Sequence, residues 1–259
     1  MSEAFFLIPN LAEHAQLFSE NRILHSKQIF SDMKHLVVFT GAGMSAESGI
    51  PTFRGGNGLW ENYRIEDVAT PEAWQRDPEL VLEFYNQRRK GILEALPNEG
   101  HRQIAAWQDR FRVTVITQNI DDLHERAGSD NVVHLHGEIR KSRSTLNPQL
   151  VYAIDGWQLK KGDRCERGSQ LRPHIVWFGE DVPMLEIAAS IIEEADLFIV
   201  VGTSLQVYPA AGLIHYAMQA QQKFIVDPEA NSLLSKPGWI TINSGAGEGL
   251  QRIDTDFLH

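Results

Sequence analysis

Three short stretches combine residue types and spacings able to do chemistry. The first is Gly41-Ala-Gly-Met-Ser-Ala46, entered from the apolar run Leu36 to Phe39. Its spacing follows G-x-G-x-x-A, in which backbone N–H groups at a short helix start can hold a pyrophosphate and glycine lets the chain approach closely. A tight strand-to-helix turn with no ligand has the same spacing. Gly49 and Pro51 stop any helix within two turns. Around and beyond them, polar Ser45, Ser48, Arg54 and Asn57 mix with apolar Phe53, Leu59 and Trp60. Such a segment can close over a ligand and exclude water. No acidic residue ends a second strand about twenty residues on, where a nicotinamide dehydrogenase holds its ribose, and this disfavours hydride transfer.

The second stretch, Thr117-Gln-Asn-Ile-Asp-Asp-Leu-His124, follows the strand pattern Arg112 to Thr117. Gln118, Asn119 and Asp121 suit an amide and ribose hydroxyls at the carboxyl end of a strand, where open α/β sheets bind ligands. Asn119 or Asp121 would serve equally as a helix N-cap. His124 falls inside the following helix and reads as structural. The third stretch, Val132-Val-His-Leu-His-Gly-Glu138, sets His134 and His136 on one face of a strand. A neutral imidazole there could accept a proton from a sugar hydroxyl near neutral pH. A histidine at a strand end is also an ordinary structural residue.

These stretches need a scaffold, and its pattern is legible. Strand patterns recur at Leu36–Phe39, Arg112–Thr117, Val132–Leu135, Ile175–Phe178, Leu197–Gly202, Lys223–Val226 and Trp239–Ile242, with helical segments between several of them. This predicts an α/β fold, a mostly parallel sheet with helices on both faces. Residues 1–34 predict a helical cover, and 35–259 one large domain with inserts at about 71–96 and 139–173. A hydrophobic content of 42% over 259 residues supports a full core, and a net charge of −10 argues against nucleic acid as ligand. The first thirty residues carry neither a signal peptide nor a membrane span, so a cytoplasmic location is expected. The single cysteine, Cys165, excludes an internal disulfide and any metal site built from several thiolates.

Taken together, GAGMSAESGIPTFRG, TQNIDDLHERAG, HLHGE, WFGE and GTSLQVYPAAGL, in this order, resemble the sirtuin family of NAD-dependent protein deacylases, bacterial type, from about residue 34 to 253. The resemblance implies a Rossmann-type large domain, a smaller inserted one, a peptide channel between them and NAD as a consumed cosubstrate. It implies that Gly41, Ala42, Gly43, Ala46, Phe53, Arg54 and Trp60 serve the pyrophosphate and the flexible loop. Gln118, Asn119, Ile120 and Asp121 would line the nicotinamide-ribose pocket. Asn119 and His136 would be catalytic, whereas His134 matches no catalytic position. Gly202, Thr203 and Ser204 resemble the adenosine-side turn, and Ala246 lies in the turn beside adenine. Asp227 stands where an asparagine usually meets the adenosine ribose. Val176 and Phe178 match the acyl-lysine tunnel and the edge that pairs with the peptide. The implied reaction breaks the nicotinamide–ribose bond and passes an acyl group from lysine to ADP-ribose, with His136 deprotonating the ribose.

Tyr85 and Arg88 stand three apart, on one face of a helix, as an amphipathic surface would also place them. This Tyr-x-x-Arg matches the sirtuin subclass that removes succinyl, malonyl and glutaryl groups, and a phenol with a guanidinium fork suits a terminal carboxylate. Sirtuins usually hold a structural zinc with two cysteine pairs. Here Ser144 and Asn147 stand near the first pair and only Cys165 remains of the second, so no zinc is expected. Packing by Val151, Tyr152, Ile154, Trp157 and Leu159 is expected to replace it. The expected substrates are acyl-lysine proteins or peptides, with no nucleic acid and no membrane. ADP-ribose transfer to protein, plain NAD hydrolysis and a non-catalytic NAD sensor remain alternatives.

Overall fold

The computed structural model describes residues 33–52, the backbone of 59–60, and residues 63–233 and 237–258. The expected N-terminal cover, Phe53, Arg54 and the Trp60 side chain lie outside them. In chain order the strands are β1 (His35–Thr40), β2 (Arg112–Thr117), β3 (Val132–His134), β4 (Gly137–Ser144), β5 (Val151–Ala153), β6 (Leu171–Ile175), β7 (Leu197–Val201), β8 (Gln222–Val226) and β9 (Trp239–Ile242). Leu59–Trp60 pairs with Tyr63–Arg64 as a separate short ribbon.

Six strands form one parallel sheet in the order β9-β8-β7-β1-β2-β3. Counting only these six, the order is that of a doubly wound dinucleotide fold, with its switch point between β1 and β7. Alternation along each strand supplies both faces of the core. Leu36 and Val38 of β1 pack on one side with Ile104, Trp107, Leu250 and Ile253. Val37 and Phe39 pack on the other with Ala188, Ile192 and Leu213. The covering helices are α3 (Glu99–Ala106) and α6 (Ala246–Phe257) on the first side and α5 (Leu185–Glu193) on the second. Each such apolar side chain stabilises the fold by about 1.5–3 kcal/mol when fully buried.

The register brings the strand ends to one level. Thr40 lies opposite both Thr117 and Val201, Thr117 opposite His134, and Val226 opposite Val201. The segments that begin at Gly41, Gln118, Leu135, Gly202 and Asp227 therefore leave a single edge of the sheet.

The insert after β3 is a three-stranded antiparallel sheet, β5-β4-β6. The apolar run Ile175–Phe178 is therefore not a strand of the parallel sheet. Only Ile175 belongs to a strand, and the N–H groups beyond it go to other elements: Val176 to the His136 carbonyl, Phe178 to Ala69, Trp177 to the Glu180 carboxylate. The β-rich composition disguised a segment with no ladder of its own.

The other insert holds α1 (Pro71–Arg76) and α2 (Pro78–Glu94). Each starts with proline in its first turn, capped by Thr70 onto Ala73 and by Asp77 onto Leu80. Helix α2 is bolted to the small sheet's loop by buried polar groups. Asn86 bonds Leu159 in both directions, at 3.0 and 2.8 Å. Arg89 donates to the carbonyls of Ile139 (2.6 Å) and Trp157 (2.8 Å).

The expected replacement core is corrected in part. Ile154 and Leu159 are buried with Leu82, whereas Val151 is exposed and Tyr152 and Trp157 are half-buried. Hydrogen bonds do the rest. Ser144 Oγ accepts from the N–H groups of Leu146 and Asn147, at 3.2 and 3.1 Å, and lies 2.6 Å from Ser169 Oγ, which lies 3.1 Å from Cys165 Sγ.

Candidate active site

The strand β1 ends in a 3-10 helix, Ala42–Ser48, which closes at Gly49 in the left-handed region, φ 82°. The short, interrupted helix expected from Gly49 and Pro51 is what forms. Its glycines have a steric task at the switch point. A Cβ on Gly43 would lie 2.7 Å from Gly202 Cα, and one on Gly41 would lie 2.7 Å from Thr203 Cβ. The N–H groups of Gly41 and Gly43 are bonded to the carbonyls of Val201 and Gly202, at 3.0 and 2.8 Å. Close backbone packing thus accounts for both glycines. Ala46 is exposed and Ala42 half-buried.

A buried polar relay joins this turn to the segment after β2. Asn119 Nδ2 donates to Ser45 Oγ at 3.1 Å, and Ser45 Oγ donates to Asp121 Oδ2 at 3.0 Å. Asp121 Oδ1 accepts from the N–H of Leu123, the first residue of α4 (Leu123–Arg126). One oxygen of Asp121 therefore steadies the start of the helix while the other faces the relay. Burial pushes the Asp121 carboxyl above its usual range, against these two hydrogen bonds. Gln118 Nε2 reaches across to Thr203 Oγ1 at 3.0 Å.

Three successive carbonyls of this segment anchor the residues around the end of β3. The Gln118 carbonyl bonds His136 Nδ1 at 3.0 Å, that of Asn119 bonds His134 Nδ1 at 3.1 Å, and that of Ile120 accepts from Ile139 N–H at 2.8 Å. A carbonyl only accepts, so both rings carry their proton on Nδ1. Their second nitrogens differ. His134 Nε2 lies 2.7 Å from a Glu125 oxygen; burial opposes its charge, but the bond and charge of Glu125 raise its pKa. For His136, no partner occupies Nε2 among the described residues, and burial lowers its pKa. His136 is thus a neutral ring with a fixed tautomer and an open lone pair. His134, with both nitrogens engaged, is a strut.

A cavity of about 210 Å³ adjoins this segment, between Asp121, Asp122, Glu125, His134, Glu138, Arg140 and Ile120. Three of its acids are already matched: Asp122 by Arg126 and Arg140, Glu125 by His134, and Glu138 by Lys141.

The remaining candidates sit around this core. Gly202 N–H bonds the Val226 carbonyl, which sets Asp227 beside the turn; Asp227 is buried and its Oδ1 accepts from Glu229 N–H at 2.9 Å. Ser204 is half-buried in the turn after Thr203. Ala246 opens α6 and packs on Met44. Val176 bonds the His136 backbone, Phe178 is 41% exposed, and Trp177 between them is buried. Trp177 Nε1 donates to Tyr85 Oη at 3.1 Å. Arg88 is buried with its guanidinium 5.6 Å from the Phe84 ring. The sequence drew no attention to Thr40 and Thr117, whose hydroxyls meet at 2.8 Å at the strand ends, or to the role of Ser45 as the relay's middle member. A threonine ending each of two strands was the available signal.

A family model described as the Sir2 family matches residues 41–209, from the glycine turn to just beyond the turn at Gly202. The chain belongs to the Sir2 family. This Sir2-family chain is 51% identical over 226 residues to an NAD-dependent protein deacylase of Bacteroides thetaiotaomicron, covering 85% of this chain and 97% of that relative. It resembles a solved Sir2 homolog–NAD complex at 39% identity and a TM-score of 0.74, over 86% of this chain and 89% of that one. A solved complex of Sir2, a p53 peptide and NAD+ is similar at 28% identity and a TM-score of 0.69, over 90% and 97%.

The donor set fits a dinucleotide. Amides, hydroxyls and a carboxylate meet where the segments after β1, β2 and β7 leave a doubly wound sheet, over closely packed glycine main chain, and the His136 imidazole is tied to the same segment through the Gln118 carbonyl. The zinc positions do not fit a metal. Ser144, Asn147 and Cys165 offer one thiol, already hydrogen-bonded, and a tetrahedral zinc site needs four ligands. Among the described residues no cluster of three or more His, Cys, Asp or Glu could hold a metal, and no helix is long and apolar enough to cross a membrane.

Proposed function

We propose that this protein is an NAD-dependent protein lysine deacylase that removes succinyl and malonyl groups, and acetyl groups besides, yielding nicotinamide and O-acyl-ADP-ribose. The observation that carries the reading is His136, pinned at Nδ1 to the Gln118 carbonyl and without a partner at Nε2 among the described residues, on the same segment as the Asn119–Ser45–Asp121 relay. The deacylase named among its relatives and the NAD and peptide complexes of similar Sir2 structures support it.

NAD supplies the labile nicotinamide–sugar bond and the ribose that carries the acyl group away. The chain's residues do the rest. His136 accepts a ribose hydroxyl proton at Nε2 and holds it as imidazolium, with Nδ1 still bonded to the Gln118 carbonyl. Asn119 and Asp121, ordered by Ser45, orient the nicotinamide amide and the adjoining sugar. The turn Gly41, Ala42, Gly43 and Ala46 takes the pyrophosphate, while Gly202, Thr203, Ser204, Asp227 and Ala246 receive the adenosine side. Val176 and Phe178 take the peptide, and Tyr85 and Arg88 take the carboxylate of the acyl chain. The small module works without zinc, held by the Ser144–Ser169–Cys165 bonds and by the Asn86 and Arg89 clamp.

The test is incubation with NAD and matched acetyl-, succinyl- and malonyl-lysine peptides, with His136→Tyr as control. Mass spectrometry should find O-acyl-ADP-ribose from the wild type alone. ADP-ribosylated protein, or free ADP-ribose without deacylated peptide, would replace this reading with transfer or hydrolysis. Nicotinamide release from none of the peptides would leave a sensor.

A further inference from the structure

We propose that Trp177 is a positioning residue that fixes the direction in which the Tyr85 phenol donates, and so biases the site toward acyl chains ending in a hydrogen-bond acceptor. The inference rests on the reading of Tyr85 and Arg88 as the acyl-carboxylate pair.

An indole nitrogen can only donate. In the 3.1 Å bond between Trp177 Nε1 and Tyr85 Oη the phenol oxygen is therefore the acceptor, and its own O–H points elsewhere. Among the described residues no acceptor is hydrogen-bonded to that O–H. Burial holds the phenol far above its usual pKa, with the Arg88 charge the largest opposing influence, so the proton stays on oxygen. Tyr85 is packed edge-on to Phe84 at 5.0 Å, and the Arg88 guanidinium lies over the same Phe84 ring. A newcomer beside these groups meets two donors. A carboxylate accepts from the phenol and matches the charge of the guanidinium, whereas an acetyl methyl does neither.

The indole is itself held rigidly. The Arg172 guanidinium lies 3.2 Å from the Trp177 ring centroid. Arg172 grips Glu180 through two bonds, at 2.7 and 3.0 Å, and Arg143 reaches the same carboxylate at 3.2 and 3.1 Å. Glu180 also accepts the Trp177 backbone N–H at 2.8 Å. Backbone and ring of Trp177 are thus fixed by one carboxylate and its cations, with the indole N–H aimed at Tyr85.

The experiment is a double-mutant cycle on selectivity. Succinyl and acetyl kcat/KM are measured for wild type, Trp177→Phe, Tyr85→Phe and the double variant. Trp177→Phe should lower the succinyl-to-acetyl ratio by about fivefold, the effect of one neutral hydrogen bond, chiefly through the succinyl KM. The double variant should be no less selective than Tyr85→Phe alone. Equal loss on both substrates, or independent effects in the double variant, would overturn the proposal. A second readout needs no change at Trp177: its indole N–H resonance should move upfield in Tyr85→Phe, and an unmoved resonance would also overturn it. If wild type lacks succinyl activity, or if Arg88→Met keeps the succinyl preference, the carboxylate-pair reading falls first and takes this proposal with it.

Discussion

At the scale of single residues, the contrast between His134 and His136 is the most informative feature. The spacing predicts both on one strand face, but β3 ends at His134 and His136 lies just beyond it; spacing could not rank them either, because the difference lies in what meets the second nitrogen. Glu125 takes it in His134, and nothing described takes it in His136. Burial lowers the His136 pKa, so the ring is the neutral base above pH 6.5 and remains so somewhat below it. The acid limb of kcat/KM should therefore fall below pH 6.5, and His136→Asn should reduce kcat/KM by about 10²- to 10⁴-fold. A pH profile with its acid limb above that value would count against the assignment. Ser45→Ala should break the relay to Asp121 and lower kcat/KM for NAD by about tenfold, measured at saturating peptide.

Among elements, α2 carries the proposed acyl pair and the clamp together: Tyr85 and Arg88 on the helix, Asn86 and Arg89 one residue on from each. The spacing of the first pair was legible. The second was not, since its partners Leu159, Ile139 and Trp157 are distant in the chain and irregular in structure. Asn86→Ala strands a buried N–H and carbonyl of Leu159 and should destabilise the protein by about 2 kcal/mol in chemical denaturation. Between α3 and α4, His101 and His124 meet edge to face at 4.8 Å, both fully buried. Burial lowers His101 to about 4 and His124 well below 6.5. Unfolded, each titrates near 6.5, so below that pH the unfolded chain binds more protons than the folded one. Stability is then full above pH 6.5 and declines toward pH 4, by on the order of 1.4 kcal/mol per pH unit for each ring. His101→Gln should flatten that slope, and an unchanged slope would assign the acid sensitivity elsewhere.

For the molecule as a whole, the parallel sheet was readable because strands buried on both faces have continuous apolar runs, which β1 and β7 possess and β2 shows broken only by Thr114. The small module was less readable. Its stability rests on hydroxyl and backbone pairings that leave no periodic trace, and Val151 proved to be surface. Dialysis against a chelator should leave the unfolding midpoint unchanged, and elemental analysis should find no stoichiometric zinc. The glycine motif was recognised for its ligand, yet its two glycines are required by a third far along the chain. A methyl group on Gly202, at φ 60°, would stand 2.3 Å from Met44 N, so Gly202→Ala should cost about 3 kcal/mol and lower the denaturation midpoint. Bare main chain meeting bare main chain at Gly43 and Gly202 makes these two loops a matched set. Anyone grafting a foreign nucleotide loop onto this scaffold to change its cosubstrate would have to transplant both halves at once, because a donor lacking the partner glycine would collide before any ligand arrived.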